Sequence, residues 1–214
     1  MKPAPRRLIV AISGASGAIY GVRALEMLRK TDIETHLIVT RSAQITLAQE
    51  LEMKVADLRA LADVVHKPDD IAASISSGSF LTLGMLVAPC SIRSLSEIAT
   101  GVTAGLLSRA ADVVLKERRR LVLMVRETPL HLGHLRSMTQ VTEMGAVIMP
   151  PVPAFYTKPS TLDDIVNHSV GRALDLFGVE PVRLKRWGET ITMSKKPTSS
   201  ADTERQTEKQ PADP

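Results

Sequence analysis

Along the chain, short unbroken apolar runs alternate with longer stretches whose apolar residues recur every three or four positions. The runs at 8–12, 36–40, 83–88, 121–125 and 146–149 are rich in Val, Ile and Leu. They lack the apolar–polar alternation of a half-exposed strand, so they predict strands covered on both faces. Helical periods fall between and after them, at 19–30, 42–53, 95–100, 105–119, 130–143 and 162–177. This alternation predicts an α/β fold, a mostly parallel sheet between two helical layers. Ligands in such folds sit beyond the carboxyl ends of the strands.

The residues just past each run therefore deserve the chemical reading. The first run leads into Ser13, Gly14, Ala15, Ser16, Gly17 and Ala18, ahead of a helix. Small side chains there let an anion reach the free N–H groups of the helix N-terminus. The spacing Gly14, Gly17, Gly21 is neither the dinucleotide G-x-G-x-x-G nor the P-loop with its trailing lysine. The loop thus indicates a phosphate without saying which, and a tight turn that binds nothing accounts for it too. Thr40 and Arg41 follow the second run, and Pro89, Cys90, Ser91, Ile92, Arg93 and Ser94 the third. Arg126 and Glu127 follow the fourth, and a proline-rich segment, 150–156, the fifth. Singly these are ordinary loops; together they indicate one site. Thr128-Pro129 reads as an N-cap with proline in the first turn of the next helix. In 105–119, Arg109 and Lys116 lie two turns apart on one face. An ordinary amphipathic helix, with Arg118 to Arg120 at its dipole-favoured end, accounts for that pattern equally.

Composition narrows the classes. With 214 residues, 44% of them hydrophobic, the chain can bury one good-sized core. Three Phe, two Tyr and one Trp leave little for stacking bases. The net charge of +4 comes from scattered cations, which fits an anionic small molecule better than nucleic acid. No apolar stretch reaches the roughly 18 residues of a membrane span. Lys2, Arg6 and Arg7 ahead of a short apolar run mimic a signal peptide, but the run is too short and feeds the glycine loop. The expectation is a cytoplasmic protein, and the single cysteine, Cys90, suits a reducing compartment. Cys90 reads as a small buried residue. His131 and His134 share a helical face without ligands at metal spacing, so no metal site is expected. Asp69-Asp70 and Asp163-Asp164 read as helix N-terminal charges. Residues 1–192 form the expected single domain, and the polar, charge-balanced stretch 193–214 an expected disordered tail.

The segments 14–21, 76–80, 89–95, 109–119, 126–130 and 149–156, in that order, resemble the UbiX-type flavin prenyltransferases. The resemblance covers about Leu8 to Trp187. It implies a Rossmann-like or flavodoxin-like three-layer subunit, assembled as a dodecamer with FMN near subunit interfaces. The implied reaction moves a dimethylallyl group from dimethylallyl monophosphate to N5 and C6 of reduced FMN. The implied recipient of the prenylated FMN is a UbiD-type decarboxylase, one of which serves ubiquinone synthesis.

Carried onto this chain, the resemblance places the flavin on Gly14, Ala15, Ser16, Thr40, Ser91, Ile92, Arg93, Ser94 and Arg126. It gathers Lys116, Arg126, Tyr156 and Arg172 around the prenyl phosphate, with Arg109 in support. Ser16, Glu50 and Glu127 would move protons near the flavin, and Trp187 would close over the site. Cations and hydrogen-bond donors can stabilise the departing phosphate in the place of metal ions. Two rivals are an FMN-dependent decarboxylase, which leaves the phosphate set unexplained, and a non-catalytic FMN carrier, which needs neither Glu127 nor Lys116.

Overall fold

The computed structural model describes residues 6–181 and 184–188. The tail expected at 193–214 lies outside them. Six strands form one sheet in which every neighbouring pair is parallel. In chain order they are β1 (Arg7–Ile12), β2 (Glu34–Val39), β3 (Val64–His66), β4 (Gly84–Cys90), β5 (Arg120–Val125) and β6 (Val147–Ile148). Their spatial order is β3-β2-β1-β4-β5-β6, so the direction of winding reverses between β1 and β4. That reversal opens a crevice at the strand ends.

Seven α-helices cover the sheet: α1 (Ala18–Leu28), α2 (Arg41–Glu50), α3 (Val55–Arg59), α4 (Ile92–Thr100), α5 (Leu106–Lys116), α6 (Leu132–Glu143) and α7 (Leu162–Asp175). Alternate strand residues point to opposite faces. Leu8, Val10, Ile12, Leu86 and Met124 pack beneath α1, α2, α3 and α7. Ile9, Ala11, Met85, Val87 and Leu123 pack beneath α4, α5 and α6. Both faces of the central strands are therefore dry, which is why their sequences show no alternation.

Several local expectations change. β3 and α3 went unforeseen, because a three-residue edge strand and a five-residue helix carry too little periodicity to read. Thr128-Pro129 does not start a helix; α6 begins at Leu132, and the His131 ring accepts a hydrogen bond from Gly133 N–H at 3.0 Å as its cap. The His131 and His134 rings lie with centroids 3.5 Å apart, tilted by 32° to one another. Asp163 and Asp164 do lie in the first turn of α7. Asp69 instead sits in a loop, ion-paired to Arg41 at 2.7 Å. In the basic run after α5, Arg118 does end the helix, with φ +55° and its N–H on the Leu115 carbonyl, whereas the next two arginines have other partners. Arg119 donates to the carbonyls of Phe80 and Gly78, both at 2.7 Å, and Arg120 opens β5.

Among the described residues, no helix is long and apolar enough to cross a membrane, and no group of three His, Cys, Asp or Glu converges as for a metal.

Candidate functional site

Three glycines set the position of the first loop, each for a different reason. Gly17 caps α1 with φ +103°, a left-handed conformation that costs other residues dearly. A Cβ at Gly14 would strike Ser42 in the first turn of α2. One at Gly21 would strike the Ala88 carbonyl and Ile12, so α1 lies directly on β1 and β4. Ser13 then ties the two strand ends across the crevice. Its buried hydroxyl donates to the Pro89 carbonyl at 2.9 Å and accepts from Ser91 N–H at 2.7 Å. Sequence reasoning noted Ser13 only as one of several small residues; its partners lie 76 and 78 positions away.

Helices α1, α2 and α4 all start at this crevice. Thr40 caps α2, accepting from Ala43 N–H at 3.1 Å, and Ser91 caps α4, accepting from Ser94 N–H at 3.3 Å. The start of α1 is filled differently. Glu50, at the end of α2, accepts from Gly17 N–H at 2.8 Å and Ala18 N–H at 3.0 Å. Burial opposes its charge, but hydrogen bonds from Ser16, Gly17 and Ala18, with Arg126 nearby, hold its carboxyl below the usual range. The anion-attracting terminus that the glycine loop advertises is thus occupied by the protein's own carboxylate.

The crevice is a cleft of about 540 Å³. Gly14, Ala15, Ser16, Thr40, Ser91, Ile92, Arg93, Ser94, Arg126 and Glu127 all line it. Arg41 and Arg93 are paired there, with Asp69 at 2.7 Å and Glu97 at 2.9 Å. Arg126 has no carboxylate at ion-pair distance among the described residues. A second hollow of about 360 Å³, walled by Ile19, Tyr20, Val125, Pro150 and Pro151, adjoins the cleft. Ser16, Arg126 and Glu127 belong to both and so form the saddle between them. Burial raises the Tyr20 phenol, with Arg126 acting against that rise.

The remaining sequence candidates lie elsewhere in the chain. The N-terminal end of α5 reaches the cleft through Gly105, Leu107 and Ser108, but Lys116 stands at its other end, about 15 Å along the helix. There Lys116 pairs with Glu117 and lies against Gly78. Arg109, between them, pairs with Asp112 at 2.7 Å. A third group forms around α7. Trp187 stands edge-on to Tyr156 with centroids 5.4 Å apart, and Arg172 pairs with Asp175 at 2.7 Å. Asp175, which sequence reasoning missed, also holds Arg186 at 2.8 Å, next to Trp187. Cys90 is fully buried, and burial pushes its thiol up to about 12, which leaves it inert as a nucleophile.

The family model described as Flavoprotein matches residues 2–174. The flavin prenyltransferase UbiX of Escherichia coli is 65% identical over 175 residues, covering 81% of this chain and 93% of its own. This chain belongs to the UbiX flavin prenyltransferase family. The UbiX of Thauera aromatica is 56% identical over 181 residues, 85% of this chain and 93% of its own. Among solved structures, a UbiX in complex with FMN and dimethylallyl pyrophosphate superposes with a TM-score of 0.84. It is 50% identical and covers 86% of this chain and 98% of its own. A dodecameric FMN-dependent UbiX-like decarboxylase from Escherichia coli superposes with a TM-score of 0.83 at 50% identity, covering 85% and 98%. The family makes this chain a flavoprotein. The solved UbiX holds FMN, and the cleft here suits a group of that kind: its volume falls in the usual ligand range, and hydroxyls, two helix N-termini and Arg126 converge on it.

Proposed function

We propose that this chain transfers a dimethylallyl group from dimethylallyl monophosphate to reduced FMN. The observation that carries the reading is the cleft at the β1–β4 reversal, whose lining includes every flavin-binding residue that the family resemblance nominates. Gly14, Ala15, Ser16, Thr40, the segment 91–94 and Arg126 would hold the flavin. When bound, reduced FMN supplies the electron-rich N5 and C6 that take the prenyl carbons.

The protein's own share is electrostatic and positional. A phosphate leaves readily only where its growing charge is met by donors fixed in advance. Arg126, at the saddle, meets it from the cleft side. Lys116, Tyr156 and Arg172 complete the phosphate set, with Arg109 behind them. Glu127, also at the saddle, stands where a proton released near the flavin can be accepted, and the departing phosphate is the other acceptor. Glu50 and Ser16 carry that proton traffic along the start of α1. Trp187 closes the site from the carboxyl-terminal side.

Lys116 and Tyr156 belong to different regions of one chain, which supports a site completed by neighbouring copies. The dodecameric relative supports that assembly. So do the large apolar side chains exposed at Val152, Phe155, Leu162 and Trp187. The product would pass to a UbiD-type decarboxylase, in the cytoplasm. Residues 1–192 act as one domain in this reading.

The test is anaerobic incubation with reduced FMN and dimethylallyl monophosphate, followed by mass spectrometry of the extracted flavin. FMN heavier by one five-carbon unit is the expected result. Unmodified FMN from flavin-loaded protein, with both the monophosphate and the diphosphate donor, would overturn the reading and favour a decarboxylase or carrier.

A further inference from the structure

Tyr156 sits on a single exposed helical turn, Phe155–Thr157. Two rings stand edge-on to its phenol: His168 at 5.7 Å and Trp187 at 5.4 Å between centroids, each at 87°. Its hydroxyl has one polar partner among the described residues, Nε2 of His168, at 3.3 Å. His168 lies on α7, one turn before Arg172, so the same helix face presents both. Neither the family motifs nor the reading above uses this histidine.

We infer that His168 is a positioning residue that turns the Tyr156 hydroxyl hydrogen toward the prenyl phosphate. The inference rests on the reading of Tyr156 as a phosphate ligand. A phenol has one hydrogen to give and lone pairs to accept with. If that hydrogen goes to an unprotonated Nε2, the phosphate meets only lone pairs and is repelled. If Nε2 carries its own hydrogen, it donates to the Tyr156 oxygen, and the phenol hydrogen is free for a phosphate oxygen. Phosphate binding and a protonated Nε2 therefore favour each other. The edge-on ring also limits rotation of the phenol, so the hydrogen is presented from one direction.

The test is steady-state prenylation of reduced FMN by the full chain, with dimethylallyl monophosphate varied. His168→Phe keeps a ring beside Tyr156 and removes both nitrogens; His168→Gln restores a donor without the ring. His168→Phe should raise the KM for the prenyl donor roughly three- to tenfold, as loss of one hydrogen bond to a ligand does, with kcat within about twofold and FMN binding unchanged. His168→Gln should recover most of that KM. Tyr156→Phe should raise the same KM, and the Tyr156→Phe, His168→Phe double variant should be no worse than Tyr156→Phe alone. A wild-type KM in His168→Phe, equal defects in the Phe and Gln variants, or additive effects in the double variant would each overturn the inference. A wild-type KM in Tyr156→Phe would instead overturn the phosphate role of Tyr156 itself.

Discussion

Glu50 takes the α1 N-terminus that the glycine loop otherwise offers to an anion, and this changes what the loop is for. The sequence shows the loop and shows a glutamate 33 residues later; nothing in their spacing joins them. Because the folded carboxyl is held below its ordinary value near 4.5, the charged form stabilises the fold. That contribution is complete above the ordinary value and is lost as pH falls through the lower, folded one. Glu50→Gln should therefore melt earlier than the parent at neutral pH, with the two midpoints converging in acid; a constant gap down to about pH 3 would detach the carboxylate from the helix end. Cys90 was legible as a small buried residue, and its depth now sets its chemistry. Iodoacetamide at mildly alkaline pH should leave the native protein unlabelled and modify it fully in denaturant, as mass spectrometry would show. Arg172 was legible only through the family resemblance, while helix spacing alone left Lys116 evenly balanced between a site and an ordinary amphipathic face. Lys116→Ala and Arg172→Ala should each retain FMN, judged by the flavin absorbance, while losing at least about a hundredfold in prenyl transfer. Normal turnover in either would remove it from the phosphate set.

At the scale of elements, the chain reads well wherever a strand is buried on both faces and poorly at the edges. β1, β4 and β5 were found from apolar runs because both helical layers need them dry. β3 escaped because an edge strand of three half-exposed residues has no pattern to show. Helix starts were misjudged where a local rule competed with a better cap nearby, as at Thr128-Pro129, where His131 caps instead. The glycine spacing near the amino terminus fits no nucleotide motif because its three members answer to three different packing demands. Gly17→Ala isolates one of them, since a Cβ there meets the Tyr20 ring at 2.9 Å on top of the left-handed backbone. It should cost about 1–2 kcal/mol of stability by chemical denaturation. A loss of a few tenths would mean that the loop can relax into another conformation.

For the whole molecule, the decisive observation is that one chain gathers its nominated flavin residues in one cleft but does not bring Lys116, Tyr156 and Arg172 to it. Lys116 is carried away from the cleft by the length of α5. If copies complete each other's sites, two inactive variants should rescue one another. Ser16→Trp fills the flavin loop and Lys116→Ala strips the phosphate set. Mixed by co-expression, they should regain activity at about a quarter of sites by random assortment, whereas a site built within one chain would regain none. The sequence by itself determined the α/β class, the strand ends as the place of chemistry and the family, since these follow from periodicity and contiguous motifs. Only the tertiary structure decided which strand ends face one another, that Ser13 and Glu50 hold them, and that Tyr156 leans on His168. Those contacts join residues far apart in the chain, or on separate elements, through sheet order and helix direction. Local pattern carries no signal for either.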